Sequence, residues 1–438
     1  MNIPLDNLYH WIRGLPQHPV ILYVFHPHGS KDIFDLDQFE DNPSINYGTP
    51  MAPVVICHDQ EVLNFSAHKF THDPDRLRTL LKIRDSTDDA IDMIMQVYSN
   101  LKSFPDFVPN WLNAGMFNDW SILLHSEENS SDVAQFAQVG FLPVYYWSHA
   151  VISRDWYRFA EHDTRLNQSH IEKTFLIYCR DWTPTREYRL KFLDLLVSAG
   201  LHEDSIISTQ HINNQGVHIK DYQAQDLRFA TDTLKLLCIP DNHSLPSASA
   251  DYDVDDLNST AVSVVLETVV DGPKIHLTEK ILRPIACGHA FLLAAGPGSL
   301  EYLRRYGFLT FGEIWDESYD QETDTVKRME MIIQTMQQIQ KLTPADWIKL
   351  NKIIKHNKQH FFGERFMQQV VDELRTNLDH AVDFCLENRG NTYWVWRKFI
   401  RRQRLKDQYA FFKSEVSKNT VRELRLHRSR RSQNKSSP

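Results

Sequence analysis

The feature that most limits the folds open to this chain is a switching of hydrophobic period. Short apolar runs rich in β-branched and aromatic residues occur at 20–25 (VILYVF), 53–58 (PVVICH), 121–125 (SILLH) and 142–147 (LPVYYW). Between them lie segments with helical spacing, at 85–101 and 131–138. Apolar runs too short for helices, joined by helical crossovers, point to an α/β fold with a largely parallel sheet. A second series begins near Glu172, with strands expected at 174–179, 205–209, 261–267, 290–295 and 308–311 and helices at 185–199, 278–287 and 299–306. The first of these helices ends at Gly200, a residue suited to the left-handed turn that closes a helix.

A chain of 438 residues exceeds the roughly 250–300 at which a single core stops growing. Two Rossmann-like α/β domains are therefore expected, over 1–165 and 166–320, with the boundary near 160–173. A helical extension follows over 321–415, with Met331, Ile332, Met336, Ile339 and Leu342 on one face. Thr343 and Pro344 are the N-cap and first residue of a fresh helix. The stretch 240–259 is polar, acidic and turn-rich, so it reads as a loop. Residues 416–438 form a basic tail that is predicted to be disordered.

A hydrophobic fraction of 42% excludes wholesale disorder, and 11% aromatic residues can build large cores or sugar-stacking surfaces. The five cysteines, Cys57, Cys179, Cys238, Cys287 and Cys385, are widely spaced and contain no CxxC pair, as in a reducing cytoplasm. The sequence predicts neither an export signal nor a membrane span. Net charge is −9, yet Arg422, Arg425, Arg428, Arg430 and Arg431 make the end basic. Such a tail suits an anionic surface, either membrane headgroups at the inner face, an acidic polysaccharide or nucleic acid, or is simply solvated.

The run 261–302 carries the chemistry. A strand ends in Glu267-Thr268, Thr278-Glu279-Lys280 opens a helix, and a second strand ends in Gly296-Pro297-Gly298-Ser299. In a parallel sheet both strand ends and both helix starts lie on the carboxyl edge, where ligands bind. Helix N-termini and Lys280 suit a diphosphate, Glu279 suits paired ribose hydroxyls, and Gly296 and Gly298 permit close approach. The plainer alternative makes Thr278 an N-cap, Glu279 a first-turn acid, Lys280 a solvated charge and the glycines a turn.

Glu267, then Leu277-Thr278-Glu279-Lys280 and Ile285-Ala286-Cys287-Gly288-His289-Ala290, resembles the donor-site motif of α1,3-fucosyltransferases, inverting enzymes of GT-B architecture. Thr268 stands where that family has Asn, and His276 or Leu277 where it has Tyr. The resemblance implies that Glu279 and Lys280 contact the ribose and diphosphate of a GDP-sugar and that Glu267 lies beside the sugar. Within 178–189 (YCRDWTPTREYR), Arg186 matches the family's phosphate-binding Arg, with Arg180 and Arg189 as alternates. The whole chain is similar to uncharacterised glycosyltransferase-like proteins of bacteria and their viruses, through 58–61 (HDQE), 124–127 (LHSE) and 145–149 (YYWSH).

An inverting transferase needs a base, for which the strand ends offer Asp59, Glu61 and Glu127, then His26 or His28. His26, His28, Asp59 and His125 could instead ligate a metal as in a hydrolase, but no HExxH pattern accompanies them and no metal or other cofactor is expected. The aromatic runs at 145–149 and 154–158 can stack on sugars or close an interdomain seam. These readings imply a cytoplasmic glycosyltransferase acting on a glycan or lipid-linked acceptor. A nucleic-acid-associated binding protein with a basic tail and a metal-dependent hydrolase are the alternatives.

Overall fold

The computed structural model describes residues 8–18, 20–25, 33–35, 53–58, 121–138, 142–179, 181–182, 186–209, 212, 216–218 and 250–387. His26, His28, Asp59, Glu61, Arg180, the helix expected at 85–101, residues 240–249 and the tail at 416–438 lie outside them.

The described residues form a mixed α/β structure with two sheets. The first contains β1 (Ile21–Phe25), β2 (Ile33–Asp35), β3 (Val54–His58), β4 (Ser121–His125) and β5 (Leu142–Tyr145), in the order β2-β1-β3-β4-β5. β1, β3, β4 and β5 are parallel, and β2 is antiparallel on β1. Consecutive Ile122, Leu123 and Leu124 are all fully buried, which is why β4 reads as a continuous apolar run with no alternation. Helix α1 (Leu8–Arg13) packs on β1, and α2 (Ser131–Gln138) links β4 to β5.

From β5 the chain passes through α3 (Ser148–Trp156) and two short 3-10 turns to the second sheet. That sheet holds β6 (Lys173–Cys179), β7 (Ser205–Thr209), β8 (Thr260–Leu266) and β9 (Ala290–Ala294), all parallel, in the order β7-β6-β8-β9. Its helices are α4 (Tyr188–Ser198), α5 (Val254–Ser259), α6 (Glu279–Cys287) and α7 (Ser299–Arg305). The steps β6 to β7 and β8 to β9 run in opposite directions, so right-handed crossovers place α4 on one face and α6 on the other. The reversal falls between β6 and β8.

Two sequence expectations change. Residues 308–311 form no strand: the Leu309 N–H and C=O pair with the Asn357 side chain, and the Phe311 N–H donates to Glu317. Side chains thus satisfy the backbone groups that a neighbouring strand would have taken. The end of the expected acidic loop is α5, because the Asp253 carboxylate accepts from the Asp255 and Asp256 N–H groups and caps a helix there.

The helical extension comprises α8 (Thr325–Ile339), α9 (Pro344–Phe362) and α10 (Glu364–Glu387). Thr343 and Asp346 form a reciprocal capping box at the start of α9. α9 packs on α6, while α10 returns to β4, β5 and α3 of the first half. The turn between α9 and α10 is held by Arg154 of α3, whose guanidinium donates to the carbonyls of Phe361 and Phe362 and lies 5.0 Å from the Phe362 ring centroid. A cation there meets the negative end of the α9 dipole. No helix among the described residues is long and apolar enough to cross a membrane.

Candidate functional site

The carboxyl edges of the two sheets meet. Glu128, just beyond β4, exchanges two backbone hydrogen bonds of 3.0 Å with Ile275, in the loop after β8. The Trp147 indole donates to the Leu277 carbonyl at 2.9 Å. Lys274 reaches Asp132 at 2.9 Å and Glu127 at 3.4 Å, and Arg305 pairs with Glu128 at 2.5 Å. Aromatic rings fill the space behind, with Trp147 5.0 Å from Tyr302 and 4.8 Å from Tyr306 between centroids. The half-buried Tyr145 and the buried Tyr146, Trp147 and Tyr157 belong to this seam or the core.

On the second sheet, Glu267 is fully buried at the end of β8. Its carboxylate accepts from the Thr278 N–H (3.0 Å), the Thr278 hydroxyl (2.7 Å) and the Thr268 N–H (3.2 Å). Glu267 therefore braces the start of α6, and Thr278 is that helix's N-cap. Glu279 is buried between Lys280 (2.9 Å) and the His149 ring (3.3 Å). Burial alone would raise its carboxyl, but the Lys280 ammonium and His149 outweigh that and hold it well below the usual range. Lys280 Nζ also donates to Thr278 (3.0 Å) and Thr268 (3.2 Å), while its side chain keeps 27% of its surface in solvent.

Across the β6/β8 reversal, Arg186 pairs with the buried Asp181 at 2.7 Å. Arg189 is buried and donates to the carbonyls of Asp181, Leu266 and Glu267, tying the ends of β6 and β8 together. Of the three candidate arginines, Arg189 is thus built into the sheet and Arg186 faces the partly open edge. A small cavity of about 30 Å³ lies over β6 and β8 between α5 and α6, lined by Tyr178, Tyr252, Lys280 and Arg283.

The Gly296-Pro297-Gly298-Ser299 turn differs from its expected role as a phosphate seat. A Cβ at Gly296 would lie 2.6 Å from the Lys274 carbonyl oxygen, so the close approach there is to the seam loop. Gly298 takes a left-handed φ of 83°. The start of α7 is closed by the buried Asp320, which accepts from the Leu300 and Glu301 N–H groups, and the Ser299 hydroxyl turns back to the Gly296 carbonyl at 2.6 Å. A carboxylate of the chain already occupies the positive end of that helix.

Among the carboxylates expected to act as base, Glu127 is enclosed, accepting from Ser130 and paired with Lys274. Asp59 and Glu61 lie outside the described residues. The structure adds His149 and His276, which sequence reasoning missed; the run at 145–149 was the signal available. Their rings meet edge to face at 5.3 Å. His276 Nδ1 lies 3.2 Å from the Ser126 carbonyl oxygen, and His149 Nε2 is buried without a hydrogen-bond partner. His58 and His125 sit side by side in register at the ends of β3 and β4, both buried.

Burial lowers the His125 pKa to about 4, and burial together with His149 holds His276 well below 6.5. For these rings the unfolded chain binds the proton first, so stability falls as pH drops below 6.5, by about 1.4 kcal/mol per pH unit per ring, until the folded ring titrates. Glu279 has the opposite window: its stabilisation is intact above pH 4.5 and is lost only as pH falls through its depressed value. Urea unfolding is therefore expected to show stability decreasing from pH 6.5 to 5, with a shallower slope in His125→Gln. A flat profile over that range would show that the rings are solvated.

Among the described residues no cluster of three or more His, Cys, Asp or Glu side chains could hold a metal ion. Compared with protein-family models, characterised proteins and solved structures, the chain shows no significant match.

Proposed function

We propose that this chain is a metal-independent, inverting glycosyltransferase with two Rossmann-like domains in a GT-B-like arrangement. The observation that carries the reading is that Arg186, after β6, and Lys280, after β8, each stand beyond the carboxyl end of a strand flanking the β6/β8 reversal, and each is paired with a carboxylate of the chain. A reversal of strand order opens a crevice at that edge, the usual seat of a nucleotide in open α/β sheets. Lys280 exchanges its threonine contacts for diphosphate oxygens, and Arg186 supplies a planar fork to the same group.

In the proposed reaction an acceptor hydroxyl oxygen attacks the anomeric carbon as the bond from that carbon to the diphosphate oxygen breaks. The nucleoside diphosphate leaves with the electron pair, its charge met by Lys280 and Arg186, and the hydroxyl proton passes to a base. Asp59, Glu61 and Glu127 are the carboxylate candidates, and His149, oriented by Glu279, is an imidazole candidate on the same seam. A GDP-sugar is the donor favoured by the fucosyltransferase resemblance, and a glycan or glycolipid is the acceptor class.

Calorimetric titration with GDP and UDP tests the reading. Lys280→Met and Arg186→Met are each expected to weaken nucleotide binding by about 10–100-fold, the loss of one charge-assisted contact of roughly 1.5–3 kcal/mol. Unchanged affinity in both variants, or no nucleotide binding by the intact protein, overturns it.

A further inference from the structure

Next to the cavity beside Lys280 is a second, more open one of about 500 Å³, lined by Trp156, Arg158, Phe159, Arg165, Asp251 and Tyr252. Tyr252 lines both. We infer that this second cavity binds a neutral oligosaccharide chain.

Phe159 is 68% exposed. Its ring is held in place: the Arg158 guanidinium lies 4.5 Å from its centroid and is itself bonded to the Asp155 carbonyl and carboxylate. Tyr252 is fixed by its hydroxyl, which donates to Asp163 at 3.0 Å. Pyranose rings present flat C–H faces, and flat aromatic walls bury such faces with little loss of side-chain freedom. The cavity lies in the size range of small-ligand sites, roughly 300–1,000 Å³.

The polar rim decides the charge of the ligand. Arg165 forks onto Asp163 with contacts of 2.9 and 2.6 Å, and Arg158 is paired with Asp155 at 3.1 Å. Arg158 and Arg165 line the cavity together with Asp251, and each guanidinium is matched by a carboxylate outside the lining, Asp155 or Asp163. An anionic ligand would meet no excess of positive charge. A polyhydroxylated one finds both carboxylate acceptors and outward guanidinium N–H donors, the two partners that a hydroxyl can use at once. The same balance disfavours a nucleic-acid strand, whose phosphates require excess cations.

That the oligosaccharide is the acceptor rests on the transferase reading; its binding does not. Saturation-transfer NMR on the full chain, with malto-, cello-, manno- and chitohexaose as probes, tests the site. At least one hexasaccharide is expected to bind, and Phe159→Ala to weaken it about tenfold, leaving GDP titration and melting temperature unchanged. Arg165→Ala is expected to weaken it as well, through a different contact. The proposal is overturned if none of the four binds, if neither variant alters binding, or if salt-sensitive single-stranded RNA binding maps to Phe159. Lys280→Met separates the two readings, since it weakens nucleotide binding and spares the oligosaccharide.

Discussion

Trp147→Ala is expected to lower the free energy of unfolding by about 4 kcal/mol, among the larger losses a single substitution produces. Trp147 is fully buried between the end of β5 and the start of α3. It touches Tyr302 and Tyr306 from the second sheet's side, Phe308 beyond them, and Phe366 from α10. Alanine removes the contact area of all four rings and leaves the Leu277 carbonyl without its indole donor. Trp147→Phe keeps most of the ring area and loses only the hydrogen bond, so about 1–2 kcal/mol is expected. Guanidinium unfolding followed by far-ultraviolet circular dichroism measures both. A loss below 1 kcal/mol for the alanine variant would mean that the seam is not part of the cooperative core.

Glu267→Ala comes next, at about 3 kcal/mol. The substitution strips one acceptor from three donors, the Thr278 N–H, the Thr278 hydroxyl and the Thr268 N–H, in a place closed to water. Glu267→Gln keeps one acceptor oxygen and the side-chain volume, so a smaller loss is expected. The start of α6 also carries Lys280, so nucleotide affinity is expected to fall with stability in the alanine variant. A Glu267 that acts only on a bound sugar makes the opposite pattern, with turnover lost and the ligand-free melting temperature intact. Thermal unfolding without ligand distinguishes the two.

Much of the strand pattern was legible in the sequence because parallel strands buried on both faces leave continuous apolar runs. Residues 121–125 and 205–209 match β4 and β7 end to end. β2 left no such mark, being three residues long with Asp35 at its end. The 308–311 run has strand composition, but Phe308 and Phe311 plug the core while Asn357, 48 positions away, and the nearby Glu317 take the backbone bonds. The helix starts at Thr278 and Thr343 were readable because their caps are local. The closure of α7 by Asp320 was not, since that acid lies 20 positions from Leu300. The same holds for His149 and His276, which come together from opposite halves, so no local spacing announces them.

The return of α10 to the first sheet has a consequence for biosynthesis. The Asn377 amide donates to the Tyr145 carbonyl oxygen 232 positions earlier. At translation speeds of about 5–20 residues per second, a ribosome takes roughly 10–45 s to bridge that interval. Until then β4, β5 and the Trp147 rings wait on a nascent chain without the helix that covers them. For that interval the apolar surface that α10 covers in the finished protein is open to any binder that meets the nascent chain.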